Sequence, residues 1–332
     1  MARRTVAYLI CAGLLTSMPV DARGEPAAPL VIEQKIPLGD VSGRIDHLAV
    51  DLARQRLFVA ELGNDSVGVV DLKAEQVVHR IGGLREPQGV AYVAETDTIV
   101  VANAGDGSVR RFKGADFTAL GRLDFGDDAD NIRVDARAHQ VVIGYGSGAL
   151  AVLDASAARK IADIRLPGHP ESFQLEQSGQ RIFANVPDAR QIAVVDRATG
   201  QQVGKWALPD ARANFPMALD EANSRLLVVY RKPAVLAVFD THDGSVVRRQ
   251  PTCGDADDVF LDDRRQRLYV SCGDGFVDVF ARQGDALAPL ARLPTVSGAR
   301  TSLFVPDLDR LYVAVRARSG ERAALWVYRP TP

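Results

Sequence analysis

An apolar column at Val50, Val93, Val134, Leu175, Leu219, Leu261 and Val305 recurs at intervals of 43, 41, 41, 44, 42 and 44 residues. A second column, Leu57, Ile99, Val141, Ile182, Leu226, Leu268 and Leu311, keeps nearly the same rhythm. Self-similarity at this period means stacked copies of one supersecondary unit, because a single unit cannot bury its own apolar face. The copies align "HLAVDLARQRLFVAELGNDSVGVVD" from His47 with "NIRVDARAHQVVIGYGSGALAVLD" from Asn131 and "VFLDDRRQRLYVSCGDGFVDVFA" from Val259. Each shows apolar runs of four to six residues, rich in β-branched and aromatic types and bounded by Gly, Asn, Asp or Pro, which is the strand signal.

A fourth run follows in most copies, as in "QVVHRI", "RKIADIRL" and "QQVGKWAL". Four short strands per unit of about 42 residues, repeated seven times, predict an all-β, seven-bladed β-propeller with four-stranded antiparallel blades. The last copy ends at Tyr328 without a fourth strand, and "LVIEQKIPLG" from Leu30 has no partners of its own. The N-terminal strand is therefore expected to complete the C-terminal blade, closing the ring and covering an open sheet edge. Residues 30–329 form one domain in this reading.

The segments "RLFVAELGNDSVGVVDL", "RLYVSCGDGFVDVF" and "RLYVAVRA" resemble the YVTN-type repeats of YncE-like seven-bladed propellers, and the resemblance covers residues 30–329. It implies the fold. Relatives of this shape include lactonases, subunits of quinone-linked dehydrogenases and proteins with no established activity, so function has to be argued from a site.

Ahead of the repeats, Arg3 and Arg4 precede an apolar stretch from Val6 to Leu15 and a small-residue pattern at Val20-Asp21-Ala22. Residues 1–22 read as a cleaved export signal, which places the chain in the periplasm or outside the cell. The apolar core is shorter than the ~20 residues needed to span a bilayer. With 40 Lys and Arg against 42 Asp and Glu, the chain has no overall pull towards nucleic acid or anionic membrane. A monomer is expected.

Many acids have a structural reading. Asp51, Asp135, Asp220, Asp262 and Asp263 fall in the turn between first and second strands, and Asp71, Asp154, Asp196 and Asp240 fall where the third strand ends; Asp side chains satisfy turn backbone groups. The column four residues before the repeat anchor is different: Asp46, Gly89, Asp130, Glu171, Phe215, Asp257 and Thr301. In a propeller the first strand of each blade lines the central channel, so these carboxylates converge at one mouth. Their polar neighbours include Arg44, His47, Gln88, Asn131, Ser172, Asn214, Asp258 and Arg300. Clustered acids raise one another's pKa or attract a counter-charge. That counter-charge is either the neighbouring Arg and His side chains or a ligand.

The candidate ligand-binding set is therefore Asp46, His47, Asp130, Asn131, Glu171, Asn214, Asp257, Asp258 and Arg300. Loops between second and third strands are expected to add Asn103, Tyr145, Asn185, Tyr230, Arg231 and Arg316. If a divalent cation is bound, Glu171, Asn214 and Asp257 are the best oxygen set, and oxygen ligands suit calcium or magnesium. That set resembles the acid and amide ligands of propeller lactonases, with Asp46 or His47 as base. The other histidines, His79, His139, His169 and His242, read as surface or turn residues. Cys253 and Cys272 end near one face and are expected to form a disulfide in an oxidising compartment; free thiols or a redox role are the alternatives.

Other chemistries find no footing. "GDGS" at Gly105 and "GYGSG" at Gly144 precede strands rather than helices, against a phosphate loop. No G-x-S-x-G elbow occurs. The reading is a binding or scaffold protein holding a polar small ligand, a cation or a protein partner at the channel mouth, with a metal-dependent lactonase-type hydrolase as the alternative. A non-catalytic subunit beside a redox enzyme is a third reading.

Overall fold

The computed structural model describes residues 1–2, 28–318 and 320–332. The leader read over residues 1–22 lies, beyond its first two residues, outside the described part. Twenty-eight strands form seven four-stranded antiparallel sheets. Six blades run in sequence order, with first strands at Leu48–Asp51, Pro87–Val93, Ala129–Asp135, Phe173–Leu175, Arg212–Asp220 and Ala256–Asp262. The seventh joins Ser302–Val305, Arg310–Val315 and Ala324–Pro330 to the N-terminal strand Leu30–Pro37.

That closure follows the sequence expectation. Leu30 pairs with Pro330 and Pro37 with Ala324 across an antiparallel register, and the Thr331 amide donates to the Pro29 carbonyl at 3.0 Å. Ile36 and Leu38 are buried with Leu57, Val59, Tyr312 and Leu325 in the cluster between the last and first blades. The closing strand therefore supplies core as well as hydrogen bonds.

Burial explains why the four strands of a blade read differently. Second and third strands are sandwiched between neighbouring blades and are buried along most of their length, with an apolar centre between polar ends, as in Arg56–Glu61 and Gln191–Asp196. Outer strands alternate or face solvent, as in Gln201–Ala207. Each of the seven apolar clusters joins two adjacent blades, so the ring is held by blade-to-blade packing. Sheets stacked face to face suit the abundance of Val, Leu and Ala.

The turn aspartates cap as expected and do more. Asp51 accepts the Arg54 amide and Asp262 the Arg265 amide. Arg54 also bonds Asp97 in the second blade, and Arg265 bonds Asp309 in the seventh. One turn thus staples its neighbour. Asp263 departs from the pattern: it is exposed and bonds the Arg282 guanidinium rather than turn backbone. Asp71, Asp154, Asp196 and Asp240 all accept backbone amides two to four residues on.

Cys253 and Cys272 form a disulfide with their Cα atoms 5.9 Å apart. Both are buried between the fifth and sixth blades. The register pairing Ala256 with Cys272 brings the thiols together, because the second strand returns to the face that the first one left.

Candidate functional site at the channel mouth

The segments that lead into the first strands surround a cavity of about 210 Å³ on one face of the ring. Its lining includes Asp46, His47, Asp130, Glu171, Asp257 and Arg300, contributed by the first, third, fourth, sixth and seventh blades. Asn131 and Asp258 line the adjoining central channel, of about 460 Å³, to which His47 and Asp257 also belong. Asn214 lines neither. It is 1% exposed, and its amide donates to Asn185 Oδ1 at 2.8 Å and to the Gln191 carbonyl, so it braces the fourth blade against the fifth.

Backbone irregularity makes this convergence possible. In a regular strand successive side chains point to opposite faces, so neighbours such as Asp130 and Asn131 cannot both reach the axis. The register shifts between Ala129 and Ile132, and again between Ala256 and Asp258. Bulges of this kind re-aim side chains, and they carry Asp130–Asn131 and Asp257–Asp258 to the same region. The glycine in the acidic column also has a cause: a Cβ on Gly89 would lie 2.0 Å from the Asp130 carbonyl oxygen. Thr301 in that column is buried and donates to the Ile45 carbonyl.

The charges divide into two arcs. On one side Arg44 donates to Asp46 at 2.5 Å. Arg231 donates to Asp257, and Arg300 lies 2.8 Å from Asp257 and 3.0 Å from Asp255. The Arg231 guanidinium also stacks 3.8 Å above the Phe215 ring. These guanidiniums and carboxylates compensate one another. On the other side stand Asp128, Asp130 and Glu171, none of which forms an ion pair with an arginine among the described residues, although Arg231 is near enough to Glu171 to favour its ionised form. His169 lies 3.6 Å from Asp128 and bonds the Gly146 carbonyl at 2.6 Å through the same nitrogen.

Asp130 is 6% exposed, and its Oδ1 has no hydrogen-bond partner; the same holds for Asn131 Oδ1 at 3% exposure. Burial, with Asp46 and Glu171 nearby, pushes the Asp130 carboxyl up to about 7. Burial, then the charge of Asp257, pushes Glu171 up to about 8. Asp257 and Asp258 are also raised, both chiefly by burial. Asp258 accepts the Ser302 amide at 2.7 Å and faces His47 Nδ1 at 4.0 Å.

Among the described residues no three His, Cys, Asp or Glu side chains are grouped closely enough to hold a metal ion. Glu171 and Asp257 share the cavity, but Asn214, the third member of the expected oxygen set, faces elsewhere. Of the residues expected from the second-to-third-strand loops, Arg231 reaches the cavity. Asn103 and Asn185 are buried and bond backbone carbonyls, and Tyr230 is buried in a core cluster. His169 and Asp128 do line the cavity, against the reading of His169 as a surface or turn residue. A sequence signal for them exists: Arg44, Asp128, His169 and Asp255 each stand two residues before the acidic column, so a charged or imidazole side chain recurs there in four of the seven copies.

No family model matches the chain, and no curated protein matches it. Among solved structures it is similar to a chain of Kuenenia stuttgartiensis hydrazine synthase, at 18% identity and a TM-score of 0.73, over 83% of this chain and 93% of that one. It is also similar to a chain in the crystal structure of a mitotic checkpoint complex, at 14% identity and a TM-score of 0.75 over the whole of both. At such identities the likeness concerns the fold alone, and by that fold the chain is a seven-bladed β-propeller.

Proposed function

We propose that this chain is a binding propeller of the YncE-like type that takes a polar small ligand at the mouth of its central channel. The observation that carries the reading is the group Asp128, Asp130 and Glu171, which has no arginine ion pair among the described residues and in which a buried Asp130 carboxyl oxygen has no partner. A buried polar group without a bond costs free energy that a ligand donor can recover. The opposite arc, with every guanidinium already paired, supplies a fixed wall. Export to the periplasm or the exterior accords with the disulfide, since such bonds persist in oxidising compartments.

Calorimetric titration with methylammonium, arginine, calcium and magnesium tests the reading. At least one cation is expected to bind to the wild type, and Glu171→Gln is expected to weaken it tenfold or more. Binding that is unaffected by both Glu171→Gln and Asp130→Asn would place the ligand elsewhere and sink the reading.

A further inference from the structure

We propose that the acid arc and the central channel form one site for an amphiphilic organic cation, with a primary ammonium held by Asp130, Asn131 and Glu171 and an aliphatic tail running down the channel. The inference rests on the mouth being a ligand site and names what that ligand is.

A primary ammonium has three N–H donors and no acceptor. The mouth offers Asp130, whose buried Oδ1 has no partner, and the Glu171 carboxyl in the same lining, and the next residue, Asn131, adds a second buried unpartnered Oδ1 from the lining of the adjoining channel. Uncharged donors would satisfy the oxygens but supply no ion pair to Asp130 and Glu171 once these ionise.

The channel below selects the rest of the molecule. Its polar side chains are turned onto the walls. Arg133 donates to Ser172 Oγ at 3.0 Å and to the Ile132 carbonyl, Gln174 donates to the Met217 carbonyl, and Asp258 accepts the Ser302 amide. Four residues further along the strands from Asp46, Asp130, Phe215 and Asp257, about 13 Å at strand rise, Val50, Val134, Leu219 and Leu261 line the same channel. A satisfied polar belt followed by an apolar ring accepts hydrocarbon. His47 and Asp257 line both spaces, so the mouth and the channel adjoin.

Binding should tighten as pH rises, because the cation needs ionised carboxylates and Asp130 and Glu171 are held protonated up to about 7 and about 8. The other charged groups facing them are Arg44, Asp46 and His47 from the first blade, Asp128 and Arg133 from the third, and His169 from the fourth. Arg231 comes from the fifth, Asp255, Asp257 and Asp258 from the sixth, and Arg300 from the seventh.

The experiment is calorimetric titration of the full chain at pH 8.5 with methyl-, butyl-, hexyl- and octylammonium, with hexanol and calcium as controls. Affinity is expected to rise by up to about fourfold per methylene, and Asp130→Asn is expected to weaken every amine tenfold or more. Val134→Phe, which narrows the channel, is expected to flatten the series while methylammonium still binds. A flat series in the wild type overturns the channel assignment but leaves the mouth reading standing. Hexanol binding as tightly as hexylammonium, or calcium binding more tightly than every amine, overturns the choice of an organic cation. If no amine and no calcium binds, both readings fall.

Discussion

Replacing Asp130 by asparagine should change how stability depends on pH. The Asp130 carboxyl is raised from 3.8 to about 7 in the folded protein, first by burial and then by Asp46 and Glu171. A folded pKa above the unfolded one means that folding favours the protonated form. The resulting stability is fully present below about pH 4 and is lost as pH rises through about 7. At about 1.4 kcal/mol per unit, the wild type should lose about 3 kcal/mol from this group between pH 5 and pH 8.5. The amide of the Asp130→Asn variant is neutral throughout and loses none of it. At pH 5 variant and wild type should melt within a few degrees of each other. At pH 8.5 the variant should melt higher by roughly 6–12 °C, taking 2–4 °C per kcal/mol. Differential scanning calorimetry at the two pH values, with the disulfide intact, reads this directly. A melting difference that is the same at both pH values would refute the argument, since it would mean that Asp130 is ionised across the whole range.

Two further outcomes concern the frame. Deleting residues 30–37 removes the outer strand of the seventh blade together with the buried Leu30 and Ile36; at about 1.5–3 kcal/mol per buried side chain, before the lost hydrogen bonds, chemical denaturation should show a lower midpoint for the entire molecule, whereas fraying confined to the C-terminal blade would contradict closure by packing. Replacing Cys253 and Cys272 together by Ser should cost about 3 kcal/mol, as expected for a sequence separation of 19 residues, and reductant should lower the wild-type melting temperature towards the double variant's; a reductant-insensitive wild type would argue against a stabilising role for the bond.

Much of this protein was legible before any coordinates. Two apolar columns with the same period give the number of blades, because each copy must present its apolar residues to a neighbouring blade at the same height. The unpaired run at Leu30 and the missing last strand fix the closure. The acidic column could be read as converging because first strands all point at the axis. Asn214 shows the limit: its place near the column was legible, but its amide was recruited to brace two blades, and hydrogen bonds between residues 29 apart leave no trace in a repeat. The bulges that turn Asp130 and Asn131 to the same side are also silent in the sequence, since an extra residue in a strand looks like the ordinary variation of the period between 41 and 44.

By itself, then, the sequence determined the ring, its seven blades and the face on which its acids gather, because periodicity and burial act locally on every repeat. The tertiary structure alone decided which charges meet. Arg231 and Arg300 pair with Asp257 from the fifth and seventh blades, while among the described residues no arginine lies within ion-pair distance of Asp128, Asp130 or Glu171. Pairing across blades depends on distances of a few ångströms between side chains far apart in the chain, and that balance separates a neutralised channel mouth from a binding site.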